Sequence, residues 1–238
     1  MMRFPGSLVY FICQILSAVL VSIFVPLFLM MPSVPRAKAI GVWAKFNIWT
    51  LKLFCGIDYR VTGAENIPAE PSIIISNHQS AWETLCFQEI FPAQSYILKK
   101  SLLFIPFFGW GLAANRPIAI NRSKKLKALD QLVTLSKERL AEGRWLVVFP
   151  EGTRMPPGNM GDFQVGGAMM ASKTRALVVP VAHNAGLFWP KRGFLKTPGT
   201  VDVVIGKPIN PEGMKPREIN GQVRDWIENQ IKLLPGAN

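Results

Sequence analysis

The apolar positions of this 238-residue chain change period along its length. Residues 4–35 carry no charged side chain, and 8–31 form a nearly unbroken apolar run. Wound as a helix, such a run is long enough to cross a hydrocarbon layer of about 30 Å. Pro26 is expected to kink it, and Pro32 with Pro35 to end it. A cleaved signal peptide fits less well, because the run is too long and no small-x-small site stands cleanly before Pro32. A second segment, 36–54, places Lys38, Lys45 and Lys52 seven apart among Ile40, Trp43, Phe46, Trp49 and Leu53. That spacing puts the three lysines near one helical stripe, a pattern suited to the interface of an anionic membrane.

Beyond residue 56 short β-like runs alternate with helical periods. Strands are predicted at 59–62, 73–76, 95–98, 118–120, 146–149, 177–182 and 201–205, and helices at 81–90, 124–142, 166–173 and 216–233. The second helix repeats Leu126, Leu129, Leu132, Val133, Leu135 and Leu140 at helical spacing, and Gly143 stops it. This order predicts an α/β fold, a mixed and largely parallel sheet flanked by helices, with ligands at the C-terminal ends of strands. A hydrophobic two-helix membrane-binding segment precedes it. The expected organisation is therefore membrane-associated helices over 1–56 and one α/β domain over 57–238, long enough for one sizeable core. Internal repeats and low-complexity tracts are absent, and the Pro/Gly-rich stretch 155–161 reads as a loop, equally suited to water or lipid.

Two of the predicted strands end in chemistry. Asn77-His78-Gln79-Ser80-Ala81-Trp82-Glu83 follows the run 73–76 and opens a helix. A histidine leaving a buried strand with a carboxylate five positions on can act as a general base. The carboxylate fixes the tautomer by bonding one ring nitrogen and leaves the other free to take a proton. The same residues also suit a plain helix start, with Asn77 or Ser80 as the cap. The run 146–149 ends in Pro150-Glu151-Gly152-Thr153-Arg154. Gly152 lets backbone amides approach an anion, Thr153 offers a hydroxyl, and Arg154 offers a planar fork matching phosphate oxygens. Alone, that turn is equally an ordinary strand exit with a Glu151–Arg154 ion pair.

Together the segments resemble the glycerolipid acyltransferase family, and within it the 1-acylglycerol-3-phosphate (lysophosphatidic acid) acyltransferases. The family's Asn-His-x-x-x-x-Asp block is met by Asn77, His78 and, with a longer acid, Glu83; its Phe-Pro-Glu-Gly-Thr-Arg block stands unchanged from Phe149 to Arg154. An intermediate block fits Lys99-Lys100 through Ile120-Asn121-Arg122, and a last one fits Val178-Val179-Pro180-Val181. The four occur in the family's order over roughly residues 70–185. One departure follows the second turn, where the family often carries lysines beside Phe163 and this chain has Gln164 and Val165.

The resemblance implies transfer of an acyl chain from acyl-CoA or acyl carrier protein to the 2-hydroxyl of lysophosphatidic acid, giving phosphatidic acid for phospholipid biosynthesis. It implies His78 and Glu83 as the catalytic pair. Arg122, Arg154, Glu151, Gly152, Thr153 and Lys100 are implied around the acceptor phosphate, with amides of the 151–153 turn as candidate oxyanion donors. No acyl-enzyme, metal or other cofactor is expected. Cys13, Cys55 and Cys86 read as packing residues, and His183 reads as a hydrogen-bonded structural histidine. The N-terminal segment either spans once and continues as an interfacial helix or dips into one leaflet as a helix pair, and the resemblance favours the pair.

Net charge of +12, from 27 basic against 15 acidic residues, suits nucleic acid or an anionic lipid surface. The basic residues are scattered and carry no nucleic-acid motif, so a phospholipid membrane is the expected partner, at the cytoplasmic face (the inner membrane in a bacterium) where acyl thioesters reside. Three cysteines without a pairing pattern fit a reducing compartment. Rival readings are a lyso-ornithine lipid acceptor, a late acyltransferase of lipid A, and a noncatalytic membrane scaffold. The intact Phe149–Arg154 block argues against the second, and the intact dyad against the third.

Overall fold

The structure, a computed structural model, describes residues 3–120 and 125–236. Asn121 and Arg122 lie outside the described residues. Three N-terminal helices, α1 (Arg3–Ile23), α2 (Val25–Leu29) and α3 (Ser33–Cys55), precede a seven-stranded sheet. Its strands are β1 (Ile57–Thr62), β2 (Ile73–Ser76), β3 (Gln94–Lys99), β4 (Ile118–Ile120), β5 (Trp145–Val148), β6 (Val178–His183) and β7 (Gly199–Ile205), in the order β1-β7-β6-β2-β5-β3-β4. All pairings are parallel except β6 with β7, so the sheet is mixed and largely parallel as the alternating pattern predicts. The remaining helices are α4 (Trp82–Ile90), α5 (Phe108–Ala114), α6 (Lys125–Ala141), α7 (Gly166–Thr174) and α8 (Pro216–Leu233).

The pleat divides the core in two. Ile74, Val147, Val179 and Val181 face one layer with Trp82, Phe87, Leu51 and Trp145, while Ile73, Ile75, Leu146, Val148 and Val178 face the other with Ile219, Val223 and Ile227 of α8. Central strands β2 and β5 are buried at every position, which is why their sequences read as continuous apolar runs.

The apolar helix breaks at Phe24, ahead of the kink expected at Pro26, which instead sits in the first turn of α2, where a missing N–H costs nothing. The α1–α3 hairpin is bound to the sheet domain along its length. Gly6 lets α1 close on the last turn of α3, since a Cβ there would fall 2.0 Å from the Phe54 carbonyl oxygen. Tyr10 packs edge-on against Trp189, with ring centroids 5.5 Å apart. Lys196, only 3 % exposed, puts its Nζ over the Tyr10 and Trp189 rings and donates to the Phe194 carbonyl at 2.9 Å. At the far end Ser33 donates to Glu142 Oε2 at 2.5 Å, and the fully buried Arg144 donates to the Ser33 carbonyl at 3.3 Å.

One element escapes the sequence pattern. The stretch after Lys100, where no helix is predicted from the sequence, is a 3-10 turn (Lys100–Phe104) followed by α5. Two glycines in a seven-residue helix erase its propensity signal, and contact with α1 and α2 supplies what local preference lacks.

Candidate active site

The register of three parallel strands assembles the site. Ile75 of β2 stands opposite Val148 of β5 and Pro180 of β6, so the segments beginning at Asn77, Phe149 and His183 leave the sheet side by side. Reciprocal bonds fasten two of them: Asn77 Nδ2 donates to the His183 carbonyl at 2.9 Å, and the His183 amide donates to Asn77 Oδ1 at 3.1 Å. The third is joined to the first by the Met155 amide, which donates to the His78 carbonyl at 2.7 Å.

His78 Nδ1 lies 2.7 Å from Glu83 Oε1, in the first turn of α4. An ionised carboxylate only accepts, so Nδ1 carries the proton and Nε2 keeps its lone pair. Phe149 stacks on the imidazole at 4.2 Å with an interplanar angle of 13°, fixing its tilt. Glu83 is wholly buried and accepts from the amides of Gln79 and Ser80 at 2.9 and 2.8 Å. Burial pushes its carboxyl up, but the opposing pull of His183, the His78 bond and the Ser80 amide prevails and holds it below the usual carboxylate range. His183 Nε2 sits 4.0 Å from Glu83 Oε1, bonded to the Asn77 carbonyl at 3.0 Å, and burial pulls its imidazole down toward the neutral form. It is the structural histidine expected from sequence.

His78 opens on a cavity of about 300 Å³. Its walls come from α1, α3, α4, β3 and α5 and are mainly apolar, including Val21, Trp43, Leu85, Leu98, Phe108 and Leu112. Gly152, Arg154 and Lys99 bring polar groups to the same lining. Gly152 turns the backbone at φ +68°, and its amide donates to the Phe149 carbonyl at 3.0 Å. That bond commits one of the candidate oxyanion amides to the turn.

The sequence profile of the acyltransferase family matches residues 58–184, from the start of β1 to the end of β6, and so contains both catalytic-looking turns. The chain belongs to the acyltransferase family. It is 46% identical over 197 residues to the 1-acyl-sn-glycerol-3-phosphate acyltransferase of Pseudomonas aeruginosa, an alignment covering 81% of this chain and 77% of that one. The protein of the same name from Saccharomyces cerevisiae is 35% identical over 76% of this chain and 62% of its own length. Among solved structures, the 1-acyl-sn-glycerophosphate (LPA) acyltransferase PlsC from Thermotoga maritima superposes with a TM-score of 0.81 at 25% identity, covering 97% of this chain and 95% of that one.

In this acyltransferase the residues singled out by sequence do not all converge. His78, Gly152 and Arg154 share the cavity, with Glu83 directly behind His78. Lys100 begins the exposed 3-10 turn, and its neighbour Lys99 lines the cavity instead. Lys99 is the last residue of β3, whose residues from Tyr96 to Lys99 all reach the lining, whereas Lys100 lies beyond the strand. Thr153 is exposed and accepts from Lys191 Nζ at 2.9 Å. Glu151 makes no ion pair with Arg154: both its carboxyl oxygens are buried without a hydrogen-bond partner. Burial pushes its carboxyl up to about 8, the facing His78 amide lowering it only in part and the Glu83 charge adding to the rise. Arg122 falls outside the described residues. The sequence singles out Lys100 rather than Lys99 and gives no sign of Lys191, since nothing in local spacing ties it to a turn 38 residues earlier.

Proposed function

We propose that this acyltransferase moves an acyl chain from an acyl thioester to the 2-hydroxyl of 1-acyl-sn-glycerol 3-phosphate, yielding phosphatidic acid. The observation that carries the reading is the His78–Glu83 contact of 2.7 Å at the head of an apolar cavity that also admits Arg154. Nε2 of His78 takes the hydroxyl proton as the oxygen attacks the thioester carbonyl, and Glu83 steadies the imidazolium. When the tetrahedral intermediate collapses, the C–S bond breaks and the proton passes from Nε2 to the departing thiolate. The thioester is already activated, so the reaction calls for no acyl-enzyme, metal or further cofactor.

Arg154 suits the acceptor phosphate as a bidentate donor, with Lys99 on the cavity lining and Lys191 on Thr153 as further cations. The glycine turn brings backbone and Thr153 close to the same anion. Glu151 acts on this site through the fold of its turn, since its carboxyl is buried and is not part of the cavity lining. Either coenzyme A or acyl carrier protein serves as donor, both acidic partners for a chain of net charge +12.

Membrane attachment is supported by α1, 21 residues long and apolar, with only 17% of its most apolar stretch buried. Both ends of the hairpin are bonded to the sheet domain, at Tyr10–Trp189 and at Ser33–Glu142. A helix held lengthwise in this way supports insertion into one leaflet rather than a perpendicular span. The thioester donors fix the side as cytoplasmic.

The test is incorporation of labelled acyl-CoA, and of acyl carrier protein thioester, into lysophosphatidic acid by the purified protein and by His78→Ala. Phosphatidic acid is expected from the wild type alone. Product from both proteins would remove His78 as the base, and acylation of lyso-ornithine lipid or a lipid A precursor instead would replace the acceptor.

A further inference from the structure

The segment after β3 exposes more large apolar surface than any stretch of its length outside the N-terminal hairpin. Leu102, Phe104, Ile105, Phe107, Phe108 and Trp110 fall within nine residues, and each is more than a third exposed; Phe104 reaches 76 % and Trp110 52 %. Soluble surfaces scatter such side chains singly, and a contiguous group needs an occupant.

Three observations identify that occupant as lipid. The segment is continuous with the hairpin, since α5 packs on α1 and α2, whose outward face is itself apolar. Its aromatic residues lie beside two exposed lysines, Lys99 and Lys100, the combination of apolar body and cationic fringe that an anionic leaflet accepts. Leu102, Phe107 and Phe108 also line the cavity and are each more than a third exposed, so the apolar surface runs from the exterior into the cavity wall. Phe104 and Trp110 lie outside that lining, pointing the apolar surface away from it.

We propose that residues 100–114 are a second membrane-inserting element, separate from the hairpin, through which long-chain substrate passes between bilayer hydrocarbon and the cavity. This inference rests on the membrane attachment and acyl transfer proposed above. A lysolipid would keep its headgroup at the Lys99–Arg154 side while its chain slides past Phe107 and Phe108 without crossing water.

The experiment reads two tryptophans separately, by difference between wild type and Trp49→Phe or Trp110→Phe, in phosphatidylcholine–phosphatidylglycerol vesicles with and without brominated acyl chains. Trp49 lies on the exposed stripe of α3 and reports the hairpin. Both tryptophans are expected to be quenched by the brominated chains. Quenching of Trp49 alone would overturn the second element and leave the hairpin attachment standing, whereas quenching of neither would remove both. A Trp110 shielded from bromine and from aqueous iodide alike would mean a protein covers the patch, which also overturns the proposal. In the same vesicles Phe104→Ser with Trp110→Ser is expected to slow acylation of a long-chain acceptor about tenfold or more, and to leave a water-soluble short-chain acceptor within about twofold. Equal losses on both acceptors would rule out the passage.

Discussion

His78 and Glu83 meet through an oxygen that is already in use: Oε1 of Glu83, 2.7 Å from His78 Nδ1, also accepts the amides of Gln79 and Ser80. The carboxylate is thus positioned by the backbone of the very turn that carries the histidine. Glu83→Gln can keep one amide bond, but offering its NH2 to Nδ1 leaves Nε2 protonated and unable to accept. We expect kcat to fall roughly a thousandfold, with the KM for acceptor nearly unchanged. Glu83→Asp withdraws the carboxylate by one methylene yet keeps its charge. A loss of roughly tenfold in kcat is expected, and steady-state kinetics on both variants checks the pair.

Two buried carboxylates give this acyltransferase opposite stability responses to pH. Glu83 is held below its ordinary value of 4.5 in the folded protein, so its contribution is present above 4.5 and is lost as pH falls through the folded value. Glu151 is raised to about 8, so the folded state binds the extra proton between 4.5 and about 8, and stability falls as pH rises through that window. The loss for Glu151 is on the order of a few kcal/mol. Glu151→Gln should flatten the alkaline side of the curve and leave the acid side unchanged, as read by denaturant unfolding in detergent across pH.

Lys191 reaches Thr153 from a loop far along the chain and adds a cation to the turn that carries Arg154. Its contribution is to ground-state binding of an anion rather than to proton transfer. Lys191→Ala should raise the KM for lysophosphatidic acid several-fold to about tenfold with kcat within about twofold, and the effect should shrink at high salt. Lys100→Ala, at a position off the cavity, should leave both parameters within about twofold. A larger effect of Lys100 than of Lys191 would reverse this assignment.

Much of this site was legible because its two turns follow strands buried on both faces. Ile73-Ile74-Ile75 and Leu146-Val147-Val148 are runs that only a central parallel strand explains, and polar residues after such a run mark a strand's C-terminal end. The bounds of α8 were legible too, because Pro216 fixes its first turn and Ile219, Val223, Ile227 and Ile231 repeat on one buried face. What local pattern does not encode is who stands next to whom. The pairing of Ile75 with both Val148 and Pro180, the reversal between β6 and β7, and the reach of Lys191 are set by tertiary contacts. The exchange of Lys100 for Lys99 is set by where β3 ends, with Lys99 closing the strand at the cavity and Lys100 opening the exposed 3-10 turn.

Arg144 ties together the parts of the molecule that enclose the cavity. Its guanidinium, fully buried, donates to the carbonyls of Gln94 at the start of β3, Asn115 after α5 and Ser33 at the head of α3, and to Asn115 Oδ1 at 2.6 Å. Burial pushes it down to about 10, which leaves it charged at neutral pH. Asn115 itself lines the cavity, so this one side chain couples the hairpin and the α5 segment to the sheet. Arg144→Lys keeps the charge but a single ammonium cannot span carbonyls on three elements, and Arg144→Met leaves all of them buried without a donor. We expect destabilisation of about 3 kcal/mol or more for the methionine and less for the lysine, measured as unfolding midpoints in detergent. Should the two variants unfold like the wild type, the carbonyls have other donors and the coupling through Arg144 is absent.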